Sequence, residues 1–295
     1  MNLSIIDIGT QSLKHYIFTV INGEKTIVHY KRYSDAHLGG GDTLDAASIE
    51  RTLAILNECL SLNASKHVIA LQILGTEALR KATNAAAFTD KVKEMSGKDV
   101  EVISQDLEAQ YLYEGFVSLV PENYHFAAMN IGGGSTELVV GDNHALVDSV
   151  KFPFGVKFLR NSFSKEDGSL DWKGIDAYLE REILVDSSAT HAFVTGVLDF
   201  ITVVGPSLGF TFEESSIPHH PVQMSMDTYV SYLEILRNTP VDELKKLYPK
   251  DPGYGDNFAI GQSVYVTICR KLNAEVIIPS NNDLTDGVIH RLISA

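Results

Sequence analysis

Cysteine is almost absent: Cys59 and Cys269 are the only two in 295 residues. Both sit inside helix-like patterns, so a disulfide framework and a thiolate metal cluster are excluded. No stretch approaches the ~18–20 uninterrupted apolar residues that a membrane span requires. The opening MNLSIIDIG has neither the basic start nor the small-residue cleavage site of a leader. It reads as a strand, and the sequence predicts a cytoplasmic chain with no membrane partner. Positive charge is also scarce, with 24 basic against 38 acidic residues and a net charge of −14. That balance argues against a nucleic-acid partner, which needs many phosphates neutralised, and against a long, generally basic groove. A small anionic substrate stays open, because backbone N–H groups, a metal and one arginine can hold a phosphate.

What is present is ordinary globular material, 44% hydrophobic and 21% charged, long enough for two domains. The pattern opens with a strand at 3–8, a second at 15–21, a turn at Asn22-Gly23 and a third strand at 26–33. After the glycine run 39–41, a helix over 45–62 carries Ile49, Leu53, Leu56 and Leu60 at helical spacing. A buried strand at 67–74, a helix over 77–88, a strand at 100–103 and a helix from about Asp106 follow. The same pattern then restarts: a strand at 126–131, a glycine loop, strands at 136–140 and 146–152. IIDIGTQS and AMNIGGGS are its two weakly similar openings. A duplicated phosphate-loop architecture places the domain boundary at 122/123. Helices are expected over about 170–190, 226–238, 241–247 and 257–272, with strands at 201–204 and 275–278.

Four segments carry candidate chemistry. In Asp7-Ile-Gly9-Thr10-Gln-Ser12, Gly9 permits a tight turn, and the following N–H and hydroxyl groups can face an anion; such turns are also common as plain structure. Gly132-Gly133-Gly134-Ser135 follows an apolar strand, and three glycines carry an entropic cost that a hairpin alone does not require. Next to it, Glu137 suits a metal or an oriented water, or is a solvated strand residue. In Gly75-Thr76-Glu-Ala-Leu-Arg80, Thr76 is placed to N-cap a helix. Arg80, one turn in, can fork onto phosphate oxygens or pair with a surface acid. Glu108 lies in the first turn of a helix after a strand, either complementing the dipole or taking a proton from an attacking water.

In order and spacing, DIGTQS, LGTEALRKATNAAAF, EVISQDLEA and NIGGGSTELVVG resemble the Ppx/GppA phosphatases, the exopolyphosphatase and guanosine pentaphosphate phosphohydrolase family. LTDGVIHRL at 284–292 resembles that family's closing helix. The resemblance implies an α/β fold of two actin-like (ribonuclease H-like) domains with an interdomain cleft, and the last helix packing back on the first domain. It implies release of terminal phosphate from short polyphosphate or pppGpp, with Mg²⁺ as cofactor, and a homodimer. On it, Glu108 matches the base, Arg80 the phosphate-holding arginine, and Asp7 and Glu137 the metal-side acids. Gly9, Thr10, Ser12, Thr76, Gly132, Gly133, Gly134 and Ser135 take the phosphate.

The match also breaks. Asn130 stands where the family has aspartate, which removes a charge from a metal ligand. Gln105 and Leu107 replace a glycine and an acid. Val203–Ser207 takes the place of the second domain's glycine loop, where Pro206 lacks an N–H. These departures support an alternative, a catalytically degenerate homologue that senses polyphosphate or guanosine nucleotides. His219-His220 reads as a loop rather than a metal site.

Overall fold

The computed structural model describes residues 1–294 apart from 11, 22, 23, 34, 35, 37, 40, 123 and 218. The predicted Asn22-Gly23 turn and the middle of the 39–41 glycine run lie outside the described residues. The chain divides into two compact units, Met1–Glu108 with Ile289–Ala295, and Ala109–Val288. The division falls upstream of the 122/123 boundary read from the sequence.

The first unit opens with β1 (Asn2–Ile8), β2 (Leu13–Ile21) and β3 (Glu24–Tyr33), an antiparallel meander. α1 (Ala46–Ser65) follows, then β4 (Val68–Gly75), α2 (Glu77–Lys81), α3 (Ala85–Ser96), β5 (Val100–Val102) and the start of α4 (Gln105–Val117). The sheet order is β3-β2-β1-β4-β5, with β4 parallel to both β1 and β5. Ile6, Ile8, Leu13, Leu56, Ile73 and Phe88 form its core.

Three expectations need correction here. α1 is capped by Asp45, whose Oδ1 accepts from Ser48 N at 2.9 Å, yet its fully buried stripe is Ser48, Thr52, Leu56, Cys59 and Asn63. The predicted stripe is only partly buried. The helix is turned so that Asn63 Oδ1 accepts from His15 Nε2 at 2.9 Å inside the core. The helix predicted over 77–88 is two helices. Thr83 N donates to Asp42 O at 2.9 Å, and the Asn84 amide bonds both Leu44 N and Leu44 O at 2.8 and 2.9 Å, which pulls the chain out of helix between them. Strand β4 is buried only in its second half, and Ile69 is exposed.

The second unit repeats the plan. β6 (Phe126–Ile131), β7 (Thr136–Gly141) and β8 (Leu146–Phe152) form another antiparallel meander. α5 (Val156–Phe163), α6 (Trp172–Glu182), β9 (His191–Val194), α7 (Leu198–Ser207), β10 (Glu213–Glu214) and β11 (Val222–Ser225) follow. The chain then runs through α8 (Met226–Asn238), α9 (Val241–Leu247), α10 (Pro252–Gly255), α11 (Phe258–Lys271), β12 (Val276–Pro279) and α12 (Leu284–Ser294). The sheet order is β10-β11-β12-β9-β6-β7-β8, with β6, β9 and β12 parallel. Read from β8 inward, its first five strands reproduce the order of the first sheet. The two ribonuclease H-like α/β halves expected from the sequence are therefore present.

The strand predicted at 201–204 is instead part of α7. Its β-branched run mimics a strand, but Phe200, Ile201 and Val204 are buried while Val203 is half exposed, which is helical spacing. Helix α5 has no counterpart in the predicted elements, although Val156, Leu159 and Phe163 mark it at a 3.6-residue period. Helices α4 and α12 meet where Gly287 lies against the Tyr111 carbonyl: a Cβ there would come within 1.9 Å of Tyr111 O. No described helix is long and apolar enough to cross a membrane.

Candidate phosphate-binding and hydrolytic site

Each unit opens with the same hairpin. Gly9 N donates to Ser12 O at 3.0 Å, and Gly132 N donates to Ser135 O at 2.9 Å. Both closures set a strand residue two positions before the glycine opposite one two positions after the serine, pairing Asp7 with Lys14 and Asn130 with Glu137. The weak similarity of IIDIGTQS and AMNIGGGS thus corresponds to the same closing hydrogen bond and strand register.

In the first unit, Asp7 is buried on β1 with Lys14 Nζ 4.0 Å from its Oδ2. Ser12 and Thr76 are buried and Thr10 closes the loop's far side, its carbonyl accepting from Gly39 N at 3.3 Å. Thr76 sits at the N-cap of α2, but its side chain makes no capping bond. Its hydroxyl turns toward the loop instead, 3.9 Å from where a Gly9 Cβ would be. Arg80, one turn on, is no surface residue. Its Nη1 donates to Ile103 O at 2.8 Å, and its Nη2 lies 2.8 Å from Glu108 Oε2. Both side chains are largely buried, at 20% and 8% exposure. The two sequence readings of Arg80 converge: it does pair with an acid, and that acid is the candidate base. Glu108 is held in the first turn of α4, where Ser104 caps the helix through Leu107 N at 3.1 Å.

In the second unit, the carbonyl of Gly132 accepts from Val156 N at 3.0 Å and that of Gly133 from Lys157 N at 3.0 Å. Two carbonyls of the loop therefore cap the start of α5. A trans peptide carries its N–H opposite its carbonyl, so the N–H groups of Gly133 and Gly134 point away from α5. Among the described residues no acceptor meets them, nor the N–H of Ser135. Successive N–H groups of this kind form an anion-binding concavity. Gly134 has no left-handed φ, and a Cβ on it would meet nothing within 4 Å. Neither its backbone nor its neighbours demand glycine.

Glu137 is buried and fully engaged. Ser135 Oγ donates to its Oε1 at 2.6 Å, Asn130 Nδ2 to its Oε2 at 3.3 Å, and Lys151 Nζ lies 3.6 Å from Oε1. Asp7 and Glu137 thus each have a lysine beside them, and no group of three His, Cys, Asp or Glu side chains that could hold a metal occurs among the described residues. At Glu137 both carboxylate oxygens already accept from protein donors, an arrangement that does not suit a divalent cation at that side chain.

Sequence reasoning missed several of these groups. Lys14 and Lys151 were signalled only by strand register. Gly155 was missed although a Cβ on it would come 2.3 Å from Gly132 O, so the loop can seat on α5 only because this residue is glycine. Thr195 and Gly196, directly after β9, were passed over for Gly205-Pro206-Ser207. Thr195 Oγ1 donates to Asn130 Oδ1 at 3.4 Å, and Gly196 has a left-handed φ of 70°. Gly205-Pro206-Ser207 ends α7 and packs on Phe212; it is not a phosphate loop, so Pro206 withholds no N–H from one. His219-His220 is a loop as expected, with the buried His220 Nε2 2.8 Å from Ser280 Oγ.

The Ppx/GppA phosphatase family model matches residues 5–294. The guanosine-5'-triphosphate,3'-diphosphate pyrophosphatase of Photobacterium profundum is 31% identical over 303 aligned residues, which cover 98% of this chain and 59% of that one. The protein of the same name from Aliivibrio fischeri strain MJ11 is 30% identical over 180 residues, 58% of this chain and 35% of that one. The chain thus spans well under two thirds of the length of these relatives. Among solved structures, the Ppx/GppA family member of Aquifex aeolicus superposes with a TM-score of 0.81 at 22% identity, covering 100% of this chain and 98% of that one. An exopolyphosphatase from Cytophaga hutchinsonii gives 0.83 at 19% identity with the same coverage. At these identities the structural likeness establishes the fold.

Proposed function

Since this chain belongs to the Ppx/GppA phosphatase family, we propose that it hydrolyses the terminal phosphoanhydride of pppGpp or of short polyphosphate. The observation that carries this reading is the buried Arg80–Glu108 pair. A structural ion pair at this burial is a weak device for stability, whereas a guanidinium and a carboxylate held 2.8 Å apart suit phosphate capture coupled to water activation. Phosphate oxygens compete for Arg80 Nη2, which leaves Glu108 free to accept a proton from water. That water attacks the terminal phosphorus, the bridging P–O bond breaks, and the bridging oxygen leaves with its electron pair on the shortened chain.

Within the first unit the hydroxyls of Ser12 and Thr76, and within the second the N–H groups of Gly133, Gly134 and Ser135, are the donors each loop offers to phosphate oxygens. The open Cβ direction at Gly134 supports this, because no protein atom crowds it and a ligand can approach the backbone closely there. Magnesium enters this reading as the counter-ion a polyphosphate carries, not as a resident of the protein. The test is release of inorganic phosphate from pppGpp, tripolyphosphate and ATP by the purified protein in magnesium buffer. The proposal expects release from one of the first two, faster than from ATP. Binding of these anions without multiple turnover would overturn hydrolysis and leave a sensor.

A further inference from the structure

The second hairpin contains a charge arrangement that the first does not. Asn130, Glu137 and Lys151 lie side by side in register across three strands, Asn130 opposite Glu137 and Glu137 opposite Lys151. The row carries no net charge. Both oxygens of the Glu137 carboxylate accept from protein donors, Ser135 Oγ and Asn130 Nδ2, the Lys151 ammonium lies 3.6 Å from Oε1, and the lysine and glutamate side chains are only 14% and 8% exposed. A divalent cation at this carboxylate would have to displace an internal cation at a largely desolvated position. An aspartate at position 130 would instead face Glu137 as a like charge and call for an added cation.

We propose that Lys151 is a positioning residue that takes the place of a divalent cation at the second glycine loop. It balances Glu137 in the free protein. When phosphate reaches the N–H groups of Gly133 and Gly134, it supplies positive charge next to the loop, with Ser135 linking the loop to Glu137. The glycine loop therefore binds polyphosphate without metal. The inference rests on the phosphate-binding reading above and deepens it by assigning the counter-charge.

The test is calorimetric binding of tripolyphosphate in EDTA and again in magnesium buffer, for the wild type, Lys151→Met, Lys151→Arg and Asn130→Asp. The wild type is expected to bind in EDTA. Lys151→Met, which keeps the aliphatic stem, weakens that binding by about tenfold, the scale of one charge-assisted hydrogen bond, and magnesium restores most of it. Lys151→Arg retains binding in EDTA. Asn130→Asp melts a few degrees lower in EDTA, roughly the shift a like-charge pair produces, and recovers on adding magnesium. Wild-type binding that requires magnesium, or Lys151→Met binding equal to wild type in EDTA, overturns the inference while the proposed function stands. Should Lys151→Met fail to fold, Lys151→Arg and Asn130→Asp decide: loss of EDTA binding in the former with no magnesium response in the latter overturns it. Failure of every protein to bind in either buffer overturns both readings.

Discussion

The two glycine-loop hairpins share one backbone and differ in where they keep their charge. Both close through a glycine N–H onto a serine carbonyl three residues later. In the first, the acid is on the leading strand at Asp7 and the lysine opposite it at Lys14. In the second, the leading strand carries the neutral Asn130, the acid sits opposite at Glu137, and Lys151 stands on the third strand, where the first hairpin has Arg32 opposite Lys14. A duplicated scaffold fixes the donors of a phosphate site through main-chain geometry. The compensating charges can then migrate among neighbouring strands, because any side chain on the same face and row reaches the same point. The halves differ in their surroundings too. The second loop is anchored on a helix start through two carbonyls, while in the first Thr10 O accepts from Gly39 N and the preceding Ile8 O from Thr76 N.

The largest expected effect breaks the second hairpin alone. Gly155→Ala places a methyl group 2.3 Å from Gly132 O, and a backbone clash of this kind costs about 3 kcal/mol. Urea melts should show that loss, together with loss of phosphate binding. Gly134→Ala sharpens the contrast: its Cβ meets no protein atom within 4 Å, so stability stays within about 0.5 kcal/mol while tripolyphosphate binding weakens. Equal stability loss in both variants would falsify the division between a glycine required by packing and one required by ligand.

An effect of similar size belongs to the first sheet. Burial lowers the His15 imidazole from its ordinary value to about 4, and the neighbouring His29 is lowered as well, burial again being the main cause. The neutral ring therefore contributes stability that is fully present above the unfolded value of about 6.5. That contribution is lost as the pH falls from there toward 4 and amounts to about 3 kcal/mol. Denaturant melts between pH 7.5 and pH 4 should fall steeply for the wild type and more gently for His15→Gln. Parallel curves would remove His15 from the explanation. The smallest effect compares two threonines. Thr76→Val should leave stability within about 1 kcal/mol, since the hydroxyl caps nothing, yet weaken binding several-fold. Thr195→Val should do little to either, its bond to Asn130 being long at 3.4 Å.

Most of the architecture was legible from the sequence because it rests on local signals. Strand–glycine–strand openings and the spans of α8 and α11 all appear in it. The errors share a cause, which is that long-range partners override local pattern. Asn63 is drawn into the core by His15, 48 residues away, and turns α1 off its most apolar stripe. Asn84 is held by Leu44 and splits a continuous helical signal. The β-branched run at 201–204 was ambiguous by composition, and only its burial spacing separates helix from strand. In the candidate site, the loops and the Arg80 and Glu108 positions were readable from motif and order. Lys14, Lys151, Gly155 and Thr195 were not, since strand register and backbone approach decide their roles and neither is written in any single segment.

The most direct test of the account is a single-turnover measurement of phosphate release from pppGpp and from tripolyphosphate by the wild type and Glu108→Gln. Binding affinity and melting temperature are measured on the same samples. The account predicts intact folding, binding within a few-fold, and release slowed by about a hundredfold in the variant, the scale of a lost general base. Release at the wild-type rate from a folded, substrate-bound Glu108→Gln protein would contradict it.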